Sequence, residues 1–568
     1  MAILEAVLRQ PWSHPSLLQA GVAIIGAIAI AFLYRFVWVP YRLPYKNFPG
    51  PPSESWAFGA LPSVIKGDPG AVHGEWMKQY GFTMWYKGFL GAPRIWTADP
   101  GVIQYLLQHA YDYPKDEGTR GFLEQILGEG VLVAEGADHK RQRKIMNPSF
   151  APNAIRDNHT PIFLDKAYEL RDTFRRIVAD AENSNGSGCD YLDVSYWIGK
   201  CTMDVIGLAG FDYEFNSLAV PDNELANAFH DLFSTNGAMS IMSILQFVIP
   251  ATRFIPTRRM RTQKRSLAIQ QKIGNALIQK KKEAVLSGNV EKEGKDLLSL
   301  IVRANMDPDL KASQRMSDNE VLGQITTFFL AGQETSSNAL TWCLWQLAHN
   351  QAIQDKLRQE LLSVSDEYPG MDTLNSLEYL DAVVHEILRL NAPVPSTRRD
   401  STHEATIPLS NAVKGRDGKL IHEITIPKNS AILVSILNLN TTSELWGSDA
   451  ECFRPERWIE GKEQMAAANS IPGVYGHMMT FLGGPRACIG FRFAVVEIKA
   501  ILFVLIRGFY FDLPTPMVEI EKKTSQVQAT YRLSAADFEL FIRLVTRPFV
   551  KGEREKGPQM PLAVRTVS

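Results

Sequence analysis

The sequence predicts a mainly α-helical domain with a small β region, carried behind one N-terminal transmembrane helix. Three observations support this. No Asp, Glu, Lys or Arg falls between Arg9 and Arg35, and Leu17–Tyr34 is almost wholly apolar. About 20 apolar residues cross a bilayer, so one span is expected over residues 17–39. Helical patterns dominate the rest of the chain: a capping box, Ser317-Asp-Asn-Glu320, opens a pattern unbroken to about Asn350. Strand-like runs are short, near Thr83–Tyr86, Arg94–Trp96, Ala405–Pro408, Ile424–Pro427 and Ala431–Ile436. They suffice for one minor sheet.

The anchor sets the order of the rest. Bulky Phe32, Tyr34, Phe36 and Trp38 stand where signal cleavage needs small residues, so the span is read as retained. Arg35, Arg42 and Lys46 behind it, against Arg9 ahead, leave the bulk of the chain in the cytosol. Pro40 and Phe48-Pro-Gly-Pro-Pro52 make a stiff hinge. The chain thus divides into an anchor (1–40), a hinge (41–52), one large domain (53–550) and a polar tail (551–568) read as disordered.

Composition excludes several classes. The 568 residues are 45% hydrophobic and 21% charged, ample for a large core, and a net charge of −1 offers nothing to nucleic acid. Five scattered cysteines (Cys189, Cys201, Cys343, Cys452, Cys488) argue against a disulfide framework or a zinc site.

The chemistry concentrates in Phe481-Leu-Gly-Gly-Pro-Arg-Ala-Cys488-Ile-Gly490, whose glycines and proline forbid regular structure. An apolar, breaker-poor segment comes next, as expected of a buried helix. Cys488 then stands at a helix mouth, where exposed N–H groups favour a thiolate. From the residues alone it is a metal ligand, a nucleophile or a small buried hydrophobe. In the long helix Ala331 and Thr335 share a face beside Gly332, leaving room for a group to lie there. Thr335 can bond the Ala331 carbonyl, and with Glu334 it can relay protons through water.

Other stretches keep two readings. The basic run Asp138–Lys144 is a solvated face or a dock for an acidic partner. Phe247–Ile255, ahead of a basic cluster from Arg258, is a membrane-surface contact or a connecting loop. Gly121–Leu127 is an apolar segment, and Glu386-Ile-Leu-Arg389 places an acid and a base at i, i+3.

Phe481, Gly484, Arg486, Cys488 and Gly490 together fill Phe-x-x-Gly-x-Arg-x-Cys-x-Gly, which resembles the haem-ligand loop of the cytochrome P-450 superfamily. Ala331-Gly-Gln-Glu-Thr335 resembles that family's oxygen-activation motif, and Glu386, Arg389 and Arg457 its structural triad. Arg143 matches the Arg of its Trp-x-x-x-Arg motif, with His139 in the Trp position. With the anchor, the likeness covers essentially the whole chain and is greatest to the fungal microsomal branch.

The resemblance implies the cytochrome P-450 fold around haem b, with Cys488 as axial thiolate. It implies Arg143, His139 and Arg399 as propionate partners and Arg486 and Phe481 as further cofactor contacts. Glu334 and Thr335 would deliver protons. Phe328, Phe329, Leu330 and Pro393–Thr397 would hold a lipophilic substrate, with Gly121–Leu127 overhanging it. The implied activity is a monooxygenase at the endoplasmic reticulum membrane, its catalytic domain facing the cytosol. Electrons would come from NADPH through NADPH-cytochrome P-450 reductase, with cytochrome b5 as a second donor, docking on Lys140, Arg141 and Lys144. A secondary metabolite such as a terpenoid is the expected substrate class. The alternatives are a reductase-independent haem-thiolate isomerase, dehydratase or peroxygenase, and a non-enzymatic haem carrier. The Glu334-Thr335 pair argues against both.

Overall fold

The computed structural model describes residues 17–185, 189–220, 223–233, 258–288, 294–460, 465–528 and 541–567. The charge-free stretch folds as α1 (Leu17–Leu33), continued by a π-helical turn, Tyr34–Trp38, and a short turn, Val39–Arg42. Among the described residues no helix is long and apolar enough to cross a membrane. The run packs on the domain behind it through Phe36, whose ring centre lies 6.3 Å from that of Trp56. The proline-rich hinge is also tied down. Tyr45 and Phe48 are buried, and Trp85 Nε1 donates to the Phe48 carbonyl at 3.1 Å.

Next come α2 (Leu61–Lys66), α3 (Ala71–Tyr80), and the antiparallel pair β1 (Thr83–Lys87) and β2 (Pro93–Thr97). Asp99 starts α4 (Pro100–Gln108) by accepting from the N–H groups of Gly101 and Val102 at 2.9 and 3.0 Å, an N-cap. Asp116 does the same for α5 (Glu117–Leu127), accepting from Thr119 N–H at 2.9 Å. The basic run forms α6 (Gly136–Met146).

The helical body is α7 (Thr160–Asn185), α8 (Val194–Phe211), α9 (Glu224–Phe233), α10 (Arg258–Leu286), α11 (Leu297–Asn305) and α12 (Asp318–His349), with β3 (Cys189–Asp193) between α7 and α8. The expected capping box opens α12. Ser317 Oγ accepts from Glu320 N–H at 3.2 Å, and the Glu320 carboxylate accepts from Ser317 N–H at 2.8 Å. At 1.5 Å per residue this helix is about 48 Å long and threads the core. Its glycines mark close approaches: a Cβ on Gly323 would lie 2.4 Å from the Gly130 backbone, and one on Gly332 would meet Ile206 of α8 at 2.9 Å. Ile206 of α8 thus packs closely on Gly332, which also borders the cavity that Cys488 lines. The membrane contact expected over Phe247–Ile255 lies outside the described residues.

The last third holds α13 (Gln351–Leu362), α14 (Met371–Ser376), α15 (Glu378–Leu390), β4 (Ser396–Asp400), β5 (Ala405–Lys414), β6 (Leu420–Ile426), β7 (Ala431–Ser435), α16 (Ile436–Thr441) and α17 (Phe491–Gly508). After them come β8 (Phe509–Asp512), β9 (Ile520–Gln528), β10 (Phe541–Val550) and β11 (Pro561–Thr566). The minor sheet has the order β1-β2-β7-β4, with β2 parallel to β7 and β4 antiparallel to it. Two expectations change here. β5 and β6 pair only with each other among the described strands, as a separate hairpin. The polar tail is no loose end. Leu562 and Val564 are fully buried on β11, which pairs with β3 and β8, because alternation gives even a polar strand one apolar face.

Candidate active site

Backbone geometry explains the cysteine loop. A Cβ on Gly483 would strike the Pro472 carbonyl at 2.0 Å, and Gly484 has φ of +66°, a left-handed conformation that glycine adopts freely. Cys488 N–H donates to the Phe481 carbonyl at 2.9 Å and closes the loop. Phe481 itself packs its ring 5.8 Å from Tyr475 and 6.0 Å from Phe491. α17 begins after Gly490, so Cys488 precedes the helix rather than capping it.

The surface of Cys488 opens onto a cavity of about 600 Å³. Burial pushes its thiol up; the Gly490 N–H and the Arg143 guanidinium act against this. Cys201 and Cys343 are buried, and burial raises both thiols.

One wall of the same cavity is cationic. Arg143, Arg399, Arg486 and His139 all line it, as does Lys115, which no sequence motif indicated. Arg143 donates to the Ala487 carbonyl at 2.8 Å, and Arg399 to Thr397 Oγ1 at 2.6 Å. Glu135 pairs with Arg486 and, at 3.5 Å, with Lys115. His139 Nδ1 meets the Tyr111 hydroxyl at 3.2 Å. Burial, with Arg399 beside it, pulls the Lys115 ammonium down to about 7. Burial and the nearby Arg486 lower Arg399 to about 10, and burial with Arg486, Lys115 and Arg143 takes His139 down to about 3. Arg486 Nη1 is buried without a hydrogen-bond partner among the described residues. Arg486 and Lys115 share the Glu135 carboxylate, and Arg143 and Arg399 line the same cavity, so the wall carries positive charge that a dianionic ligand would satisfy.

The remaining walls are mostly apolar. Leu123, Val131, Phe328, Leu330, Val394 and Val545 line them, Leu123 being the one residue of Gly121–Leu127 among the lining. Pro393–Thr397 all face the cavity, as expected. Phe329 does not. It turns to the opposite side of α12 and stacks on Phe229 at 3.5 Å, because consecutive helical residues point about 100° apart.

On α12, Ala331, Glu334 and Thr335 line the cavity, and Thr335 Oγ1 donates to the Ala331 carbonyl at 2.6 Å. Glu334 is not alone: Arg547 of β10 pairs with it at 2.6 Å. Sequence reasoning missed Arg547, since a distant strand carries no local sign of the helix it will touch.

Two further expectations meet the structure differently. Glu386, Arg389 and Arg457 do converge, fully buried, at 2.7 and 3.3 Å. The basic face is less free than its sequence implied. Lys140 and Lys144 are exposed, but Arg141 is committed to Glu320 at 2.6 Å.

The family model described as Cytochrome P450 matches residues 49–534. The chain is a cytochrome P450. Cytochrome P450 monooxygenase 205 of Postia placenta is 40% identical over 560 residues, 97% of this P450 and 98% of that relative. Ganoderic acid synthetase of Ganoderma lucidum is 34% identical, covering 87% and 92%. Cytochrome P450 monooxygenase claW of Ampulloclitocybe clavipes is 33% identical, covering 96% and 98%.

The family binds haem b through a cysteine thiolate, and the residues present fit that group. The P450 cavity offers a cysteine open to it, a cationic wall suited to two propionates, and apolar surface for a porphyrin face.

Proposed function

We propose that this P450 is a membrane-anchored monooxygenase that inserts one oxygen atom from O₂ into a lipophilic small molecule, using NADPH-derived electrons from a partner reductase. The observation that carries the reading is that Cys488, Glu334, Thr335 and an apolar wall all open on one cavity. Haem bound at Cys488 supplies O₂ activation, the electron-rich thiolate favouring O–O cleavage. Lys115, Arg143, His139, Arg399 and Arg486 hold its propionates, and Phe481 flanks the ligand loop. Glu334 and Thr335 hold and pass the protons consumed. Phe328, Leu330 and Pro393–Thr397 orient the substrate and exclude water from it.

Residues 1–40 anchor the protein in the endoplasmic reticulum membrane, the hinge at 41–52 joins them to the catalytic domain, and that domain faces the cytosol. The charge-free stretch from Gln10 to Tyr34 and the basic flank of Arg35, Arg42 and Lys46 support this. The reductase, with cytochrome b5 as a second donor, docks on the exposed Lys140 and Lys144. A secondary metabolite of terpenoid type is the proposed substrate, supported by the apolar cavity and by a relative named for ganoderic acid synthesis.

Purified protein tests this directly. The reduced, CO-bound form is expected to show the Soret band of thiolate ligation, absent in Cys488→Ser, and oxidation to require NADPH with reductase. Full turnover on hydrogen peroxide alone would instead make it a peroxygenase.

A further inference from the structure

Glu334 and Asn338 are four residues apart on α12 and so share one face. β10 lies against that face. Asn338 Nδ2 donates to the Thr546 carbonyl, and Glu334 Oε2 pairs with Arg547 Nη2 at 2.6 Å. Two consecutive strand residues are thus fixed to two successive turns of the helix. The strand is held from its other side too, since Thr546 N–H donates to the Pro393 carbonyl at 2.9 Å. The pairing of β10 with β9 shifts register between Arg543 and Thr546, and Val545 and Arg547, two apart, both line the cavity. The ion pair is no solvent-screened surface contact. Its side chains are only 20% and 17% exposed, and Arg547 is the cation paired with Glu334 among the described residues.

From this arrangement we infer that Arg547 is a positioning residue for proton delivery: it fixes the Glu334 carboxylate against the cavity wall beside Thr335. Among the described residues nothing else holds that carboxylate, whereas Thr335 is already bonded to Ala331 within its own helix. Val545 places the same strand in the cavity wall, so the residue that orients the acid is joined through the backbone to one that lines the cavity. The inference rests on the monooxygenase reading.

The test uses the full-length, haem-loaded protein as four variants: wild type, Arg547→Gln, Glu334→Gln and the double substitution. Each single substitution is expected to lower product formed per NADPH several-fold and to raise peroxide release, with the double no worse than either alone. Arg547→Lys should restore part of the loss, and the solvent isotope effect on product formation should rise equally in both single variants. Chemical unfolding of the same four proteins reads the pair independently of turnover, and non-additive midpoints are expected. Unchanged product yield in Arg547→Gln, or losses that multiply in the double variant, would overturn the role. Additive unfolding midpoints would overturn the pair itself. Failure of the monooxygenase reading is distinct: wild type would turn over on peroxide alone while the midpoints remained coupled.

Discussion

Arg389 donates from Nε and Nη2 to the two carboxylate oxygens of Glu386, at 2.9 and 2.7 Å, with both side chains fully buried. The pair does more than satisfy itself. Arg389 Nη1 reaches the Asn440 carbonyl at 2.9 Å, and Asn440 Oδ1 accepts from Met479 N–H at 2.8 Å. Thr480 completes the link by donating to the Leu388 carbonyl at 2.7 Å. Phe481, which receives the Cys488 N–H, comes immediately after. Arg389→Met leaves the buried Glu386 with Arg457, at 3.3 Å, as its remaining cation, so the loss should stay below the ~3–5 kcal/mol that breaking a buried pair outright costs. Urea unfolding should show that loss, together with reduced haem incorporation at temperatures where the variant is still folded.

The sequence made the local devices legible and left the tertiary ones hidden. Ser317 and Glu320 are three residues apart and bond each other, so their capping box is visible in any reading. The loop around Cys488 is likewise local, and its glycines follow from backbone clashes within short reach. Arg547 and Lys115 act across more than 200 and more than 280 residues on Glu334 and Arg399, and nothing near either residue announces this. Phe329 fails for a different reason. A continuous aromatic run tells that a helix is buried on several sides without telling which residue meets which neighbour. β11 was missed because Lys551–Ser568 is polar on average while Leu562 and Val564 alternate correctly for a strand.

Thr335 offers a cleaner test than Glu334, because its hydroxyl can be removed at little structural cost. Its bond to the Ala331 carbonyl lies within the helix, and an alanine favours that helix. Thr335→Ala should therefore retain haem content and thermal stability within about 1 kcal/mol. Product per NADPH should fall several-fold, while Thr335→Ser stays close to wild type. Equal coupling in all three proteins would remove Thr335 from proton delivery.

Lys115 should have opposite effects with and without haem. The Lys115 charge sits beside Arg399 and Arg486 with Glu135 as its counter-ion, and burial opposes it. Lys115→Gln relieves that cost, so haem-free protein should unfold at higher denaturant concentration. A charge-assisted hydrogen bond to a propionate contributes about 1.5–3 kcal/mol. Losing it should speed haem transfer to apomyoglobin by roughly tenfold or more. Stabilisation in both forms would mean that Lys115 does not meet the cofactor.

His159 sets an acid limit on the fold. It ends the π-helical turn Ile155–His159, is wholly buried, and packs 5.5 Å from the Phe493 ring. Burial, partly offset by the Ser149 backbone, lowers its imidazole to about 4. The unfolded chain titrates near the ordinary value of about 6.5. Between those values the unfolded state binds a proton that the native state refuses. This contribution is fully present above pH about 6.5 and is lost as pH falls towards about 4. At about 1.4 kcal/mol per unit, lowering the pH from 6.5 to 5 should cost about 2 kcal/mol through this residue. His159→Leu keeps an apolar filling beside Phe493 and removes the titration. Urea unfolding at both pH values should then show a shallower acid loss in the variant by that amount. Equal slopes would place the acid sensitivity elsewhere.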